Sequence, residues 1–259
     1  MPELVLTERE EGIVTVTLNR PEKLNALNKA MWLGLYEVFG DLETDSDVRA
    51  IVLRGSGGRA FAPGADIGEF EAERGNSRKA REYGSLMHEV MRRIGECRHP
   101  TVALIEGLCV GGGLELAMLC DIRICGEGSR FGVPINRIGV TMGYPEIMAL
   151  IALVGRDTAL EILLEGRVFG AAEAKEKGLV TRVVPDDKVV EEAYAAARRI
   201  AAGAPLVNLW HKKFARRALD PRPLTPQEFD EPYETFDTED FQTGFRGFLA
   251  KRPPAFKGR

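Results

Sequence analysis

The chain has 259 residues, enough to bury a sizeable core in one large domain, or in one domain with a small appendage. Its apolar fraction of 44% and charged fraction of 29% are those of ordinary globular proteins, which excludes collagen-like, disordered and membrane-embedded classes. A formal net charge of -4 gives no reason to expect nucleic acid as a partner, and no apolar run approaches the roughly 18 residues of a membrane span.

In chain order, the N-terminal MPELVLTEREEG is acidic and lacks a secretory pattern, so a soluble, cytoplasmic protein is expected. Ile13–Leu18 alternates β-branched residues with others and stops at Asn19-Arg20-Pro21, which reads as a strand and a turn. Asn28 is placed to cap a helix running to about Phe39, with Met31, Leu35 and Val38 on one stripe. Val48–Leu53 reads as a second strand, ended by the Gly55-Ser56-Gly57-Gly58 loop. Residues 78–96 form a long helical pattern in which Leu86, Val90 and Ile94 recur every four positions. Thr101–Ile105 is again strand-like, 107–113 is glycine-rich, 114–119 is helical and 122–124 returns to strand. This alternation of strand, loop and helix predicts an α/β layered domain. After Val184 no strand pattern remains. Residues 189–202 are alanine-rich and amphipathic, and prolines at 205, 221, 223 and 232 divide the rest into helices. A core domain over 1–195 and a helical C-terminal region over 196–259 are expected, the latter packing on the core or on another subunit.

The four cysteines, Cys97, Cys109, Cys120 and Cys125, include no CxxC pair and are expected as buried, reduced thiols. His88, His99 and His211 are scattered and form no HExxH, so no metal site is expected.

Two glycine-bearing loops carry the chemistry. In Gly107–Asp121, GLCVGGGLELAMLCD, three consecutive glycines lead straight into a helix. Without Cβ atoms another group can approach the backbone closely, and the first N–H groups of the helix lack internal partners and point outward at its positive end. That end suits an anion, or simply a tight turn with Glu115 favouring the helix dipole. The second loop is Phe61-Ala62-Pro63-Gly64-Ala65-Asp66-Ile67, where Gly64 again permits close approach and Asp66 can cap the next turn. Two such loops in one domain can aim two N–H donors at one oxygen, each worth ~3 kcal/mol toward a developing oxyanion. Gly55, Gly57 and Ala60 fit only a loose dinucleotide fingerprint, and Pro63-Gly64 follows where that motif must open a helix. No phosphate loop and no GxSxG elbow occurs.

The ordered segments Leu18–Leu27 (LNRPEKLNAL), Phe61–Ile67, Gly107–Asp121 and Phe131-Gly132-Val133-Pro134, with the ending Phe248–Arg259, resemble the signature of the crotonase superfamily of enoyl-CoA hydratases and isomerases. The resemblance spans nearly the whole chain. It implies a crotonase-like spiral of ββα units with a helical C-terminal trimerisation region, assembling as a homotrimer or a dimer of trimers. It also implies an acyl-CoA thioester substrate whose enolate is held by the N–H groups of Ala65 and Gly112. Coenzyme A is then part of the substrate, and no further cofactor is implied. Residues around Lys23, Leu24, Ala26, Ala62, Asp66 and Ile67 would line the CoA path. Lys251 and Lys257 would either hold a CoA phosphate, across a subunit boundary, or belong to a solvated tail.

Family hydratases use two glutamates facing the Cα–Cβ bond. Glu115 stands at the first position, but Ile135 follows Phe131–Pro134 at the second and cannot transfer a proton. Relatives that place the acid later direct attention to the loop after Ile138-Gly139, with Glu146, Asn136 and Tyr144 as polar candidates nearby; Glu146 either faces solvent in the first turn after Pro145 or turns inward to restore a pair. The expected activity is therefore hydratase- or isomerase-type chemistry in fatty-acid or related acyl-CoA metabolism. The alternatives are another enolate reaction such as decarboxylation or thioester hydrolysis, or an acyl-CoA-binding protein without catalysis.

Overall fold

The computed structural model describes residues 3–259. It contains ten strands: β1 (Val5–Glu10), β2 (Ile13–Leu18), β3 (Ala50–Gly55), β4 (Ala60–Ala62), β5 (Thr101–Ile105), β6 (Leu108–Val110), β7 (Ile122–Gly126), β8 (Arg130–Gly132), β9 (Phe169–Gly170) and β10 (Arg182–Val184). The helices are α1 (Lys29–Thr44), α2 (Phe70–Arg74), α3 (Ser77–Glu96), α4 (Gly112–Met118), α5 (Tyr144–Val154), α6 (Arg156–Glu165), α7 (Ala171–Glu176), α8 (Val189–Ala201), α9 (Pro205–Ala218), α10 (Pro226–Asp230) and α11 (Glu239–Leu249).

Successive turns of the chain give one strand to each of two sheets. β3, β5 and β7 enter a six-stranded sheet of order β1-β2-β3-β5-β7-β10, while β4, β6 and β8 enter a four-stranded sheet of order β4-β6-β8-β9. A helix follows each pair: α3 after β4, α4 after β6, α5 after β8. This is the ββα spiral expected from the resemblance. The pairings β2–β3, β3–β5 and β5–β7 are parallel, and strands covered on both faces carry near-continuous apolar sequence rather than alternation. β1 is different. It pairs antiparallel to β2 through a two-residue turn in which Glu11 (φ 48°) and Gly12 (φ 79°) are both left-handed, the geometry that closes a tight hairpin.

The main core lies between the sheets and under α1 and α3, with Trp32, Phe39, Phe61 and Phe131 fully buried. A second apolar layer covers the other face of the large sheet. There Val189, Ala193, Ala196 and Ala197 of α8 meet Ile13, Val52, Val102, Leu104 and Ile124. A division at residue 195 therefore falls inside α8, and by packing this helix belongs with the core to its end at Ala201. α9 is tied down by Lys212, whose ammonium donates to Asp121 Oδ2 (2.7 Å) and the His99 carbonyl (2.9 Å). Beyond it, Phe229, Tyr233, Phe236, Phe245, Phe248 and Leu249 are exposed on α10, α11 and the segment joining them. The four cysteines are free and buried. No helix among the described residues is long and apolar enough to cross a membrane.

Candidate active site

The Asn25–Leu27 segment positions the first loop. Leu24 (φ 54°) and Asn25 (φ 64°) are both left-handed, a conformation that costs any non-glycine residue roughly 1 kcal/mol. The Asn25 side chain offsets it: fully buried, it donates to the Ser56 (3.0 Å) and Ala60 (2.8 Å) carbonyls and accepts from the Arg20 N–H (3.0 Å). Leu27 then pairs with the loop in parallel, its N–H donating to the Gly64 carbonyl and its carbonyl accepting from the Asp66 N–H, both at 2.8 Å. Parallel pairing engages alternate residues of the partner. The N–H of Ala65, between the two, is left out of it.

Gly112 opens α4, so its N–H has no acceptor within the helix. Gly111, at φ 51°, makes the turn that aims it. The two loops touch backbone to backbone. A Cβ on Gly113 would lie 2.2 Å from the Ala62 carbonyl oxygen, and one on Gly64 would lie 3.4 Å from the Gly112 nitrogen. Among the described residues neither the Ala65 nor the Gly112 N–H has a backbone acceptor, and both residues line one cavity of about 280 Å³.

Glu115, in the first turn of α4, lines the same cavity and is 8% exposed. Burial, and then the neighbouring Glu146, push its carboxyl from 4.5 up to about 7, while Arg74 pulls the other way. The helix dipole also favours the ionised form here, but is worth at most about 2 kcal/mol even when partly buried. Desolvation wins.

Glu146 turns inward. Only 2% exposed, in the first turn of α5, it lines the cavity and accepts from the Nε2–H of His88 on α3 at 2.9 Å. Its Oε2 is buried without a partner. Ile135 occupies another part of the wall, so the position that is acidic in family hydratases is apolar here. Trp32, Phe70, Met87 and Met142 add large apolar side chains to the lining.

Of the other expected site residues, Ile67 lines the cavity and is exposed at its edge, with Leu24 and Ala26 on the adjoining segment. Lys23 is exposed there, and Ala62 is wholly buried in β4 with its carbonyl against Gly113. Asp66 caps the next turn through the Gly68 N–H (3.0 Å), as expected, but its other oxygen holds Arg20 (2.7 Å). That pairing, chiefly, lowers its pKa. The Asp66 carboxylate is thus already engaged in fastening its loop to the segment that begins at Arg20. Lys251 and Lys257 are exposed on the C-terminal tail and line no part of the cavity within one chain. The tail is held by buried Asp240, which accepts from the N–H groups of Lys257 (2.7 Å) and Gly258 (2.8 Å).

Sequence reasoning did not find Asn25, Arg74 or His88. A left-handed Asn after Leu24 leaves no mark in a periodicity, and His88 meets Glu146 across 58 positions.

Residues 8–259 match the family model described as enoyl-CoA hydratase/isomerase. The chain is 35% identical over 258 residues to a short-chain-enoyl-CoA hydratase of Clostridium acetobutylicum, covering 98% of each sequence. It is 33% identical to a crotonyl-CoA hydratase of Syntrophomonas wolfei, again over 98% of each. Among solved structures, an enoyl-CoA hydratase/carnithine racemase of Magnetospirillum magneticum superposes with a TM-score of 0.98 at 48% identity, over 100% of this chain and 97% of that one. An enoyl-CoA hydratase of Bacillus anthracis gives 0.93 at 29% identity, over 99% and 100%.

Proposed function

This chain belongs to the enoyl-CoA hydratase/isomerase family, and we propose that within it the protein adds water reversibly across the Cα–Cβ bond of a 2-enoyl-CoA, using Glu115 and Glu146 as its proton-transfer pair. The observation that carries this reading is the meeting of two unpaired backbone N–H groups and two buried glutamates in one apolar cavity.

In the proposed cycle the thioester carbonyl accepts from Ala65 and Gly112. Glu146, oriented by His88, takes a proton from water as its oxygen bonds to Cβ. The π electrons move onto the carbonyl oxygen, giving an enolate. The two donors stabilise that anion more than the neutral ground state, which is what lowers the barrier. Glu115, with a pKa near 7, delivers the proton to Cα. A burial-raised acid beside a second carboxylate held by a hydrogen bond is the usual way to keep one donor and one acceptor at neutral pH. Ile135 then serves as wall, and α5 supplies the acid that its position lacks. The CoA itself is part of the substrate, so no separate cofactor enters.

The segment from Lys23 to Ala26, with Ala62, Asp66 and Ile67, is proposed to border the CoA arm. Lys251 and Lys257 are proposed to reach a CoA phosphate across a subunit boundary. The exposed aromatic residues of α10, α11 and their connection support assembly of the chain with copies of itself, as a homotrimer or a dimer of trimers. Sedimentation of the purified protein tests that assembly, and a monomer would sink it.

The activity is tested by following loss of the conjugated thioester of short 2-enoyl-CoA substrates, alongside conversion of 3-enoyl to 2-enoyl isomers. Hydration that collapses in Glu115→Gln and in Glu146→Gln is expected. Isomerisation without hydration would overturn the role of Glu146, and full turnover in Glu115→Gln would overturn that of Glu115.

A further inference from the structure

One wall of the cavity carries a positive charge that the hydration chemistry leaves unused. Arg74 ends α2, is half-buried and lines the cavity that holds Glu115 and Glu146. Two of the acids that precede it are engaged by Lys29: Glu73 pairs with the ammonium at 2.7 Å, and Glu69 accepts from the Lys29 N–H at 2.9 Å. Among the described residues Arg74 makes no ion pair of its own. Its guanidinium carbon instead lies 3.8 Å from the Tyr83 ring centroid and 4.9 Å from that of Phe70. Stacking on aromatic faces restrains the guanidinium, and a guanidinium so held can read a carboxylate with two parallel bonds.

Trp32 lines the same cavity and is 1% exposed, and its buried indole N–H has no acceptor. This side of the site therefore presents two donors, with the Tyr83 hydroxyl beside them. A buried donor left unpaired is unfavourable, and a ligand bound in the cavity can supply it with an acceptor. The phosphates of CoA are poor candidates, because a whole pantetheine arm separates them from the thioester. Arg74 belongs to the acyl part of the site, since it lines the cavity that holds Glu115 and its charge acts on that group. The cavity, of about 280 Å³, accommodates a short chain.

We propose that Arg74 is a specificity-determining residue that binds a carboxylate at the far end of the acyl chain, making the substrate the CoA monothioester of a short unsaturated dicarboxylic acid. This rests on the acyl-CoA reading above and narrows its substrate class. The aliphatic lining accommodates the methylene groups between thioester and carboxylate, and the stacked guanidinium fixes the distance at which the chain must end in an anion.

The test compares kcat/KM for a five-carbon 2-enoyl-CoA bearing a terminal carboxylate with that for the neutral five-carbon analogue, in the unaltered enzyme, Arg74→Met and Arg74→Lys. The unaltered enzyme is expected to prefer the dicarboxylic thioester by about tenfold or more, as for one charge-assisted hydrogen-bonded pair. Arg74→Met is expected to lose that preference, and Arg74→Lys to restore part of it. Equal or better use of the neutral substrate by the unaltered enzyme overturns the proposal. So does an equal loss on both substrates in Arg74→Met, which would make Arg74 only a counter-charge to the glutamates. Calorimetric titration with the two saturated five-carbon thioesters reads the same discrimination without turnover. Tighter binding of the dicarboxylic compound there, with no hydration of either enoyl thioester, would sink the catalytic reading and leave the carboxylate site standing; equal affinities would overturn the carboxylate site.

Discussion

Replacing Glu115 by Gln removes a buried charge while keeping the shape of the side chain, and it is expected to make the protein more stable as well as inactive. The sign follows from the pKa. Burial and Glu146 raise the carboxyl from 4.5 to about 7 in the folded state, so the folded protein favours the neutral acid. Below the unfolded value the group costs nothing. As pH rises through about 7 the folded state must carry an ionised, desolvated carboxylate that the unfolded chain holds freely in water. At 1.36 kcal/mol per pH unit, the rise from 4.5 to about 7 amounts to roughly 3 kcal/mol. Glutamine never ionises, so its stability relative to the parent grows over that window and levels off above it. Urea unfolding followed by circular dichroism at about pH 5 and about pH 8.5 measures the change, which is expected to be about 2–3 kcal/mol in favour of the variant. With a urea slope of about 3 kcal/mol per molar, that moves the midpoint by up to about 1 M. A stability difference that is the same at both pH values would refute the elevated pKa, and with it the case for Glu115 as a proton donor at neutral pH. Lower stability of the variant at high pH would do so more strongly.

Other outcomes follow from the same geometry. Gly113→Ala puts a Cβ 2.2 Å from the Ala62 carbonyl oxygen, so the loops must part by about 1 Å; turnover is expected to fall about 100-fold and stability by about 1–3 kcal/mol, with unchanged kinetics contradicting the close approach. His88→Gln weakens the orientation of Glu146 across 2.9 Å and is expected to lower kcat about tenfold with little change in KM, whereas an effect on KM alone would argue against that role. Lys212→Met removes the ammonium from the His99 carbonyl and from Asp121, which keeps its two bonds from Thr101, and is expected to cost about 1–3 kcal/mol in urea unfolding; a loss well under 1 kcal/mol would mean that α9 is held by its other contacts.

The long elements were legible in the sequence because their apolar spacing is long enough to repeat. α3 begins one residue before its predicted start, β5 is unchanged, and the Asn28 cap accepts from Met31 as its position suggested. β1 was not read because an edge strand written VLTERE shows charge where a core strand shows apolar residues. The four-stranded sheet escaped because its strands are two or three residues long, too short to display alternation, and its existence depends on pairing between successive turns of the spiral. The glycine loops were readable as places of close approach. What they approach was not: the Gly113–Ala62 contact joins positions about 50 apart, and Leu27 isolates the Ala65 N–H by a pairing that no local pattern encodes. The orientation of Glu146 was likewise open, since a first-turn glutamate after proline suits solvent equally well. The packing of α5 on α4 and the reach of His88 from α3 decide it. Arg74 lacks a sequence signal altogether, because what distinguishes it is that it has no acidic partner.

In the proposed cycle the backbone N–H of Ala65 stabilises the enolate. Replacing Ala65 by lactic acid, introduced as an α-hydroxy acid by nonsense suppression, turns that one amide into an ester and removes the donor while keeping the side chain. Stopped-assay kcat for enoyl-CoA hydration is predicted to fall about 10²- to 10³-fold, with affinity for a saturated acyl-CoA changed only a few-fold. A kcat equal to that of the parent would contradict it.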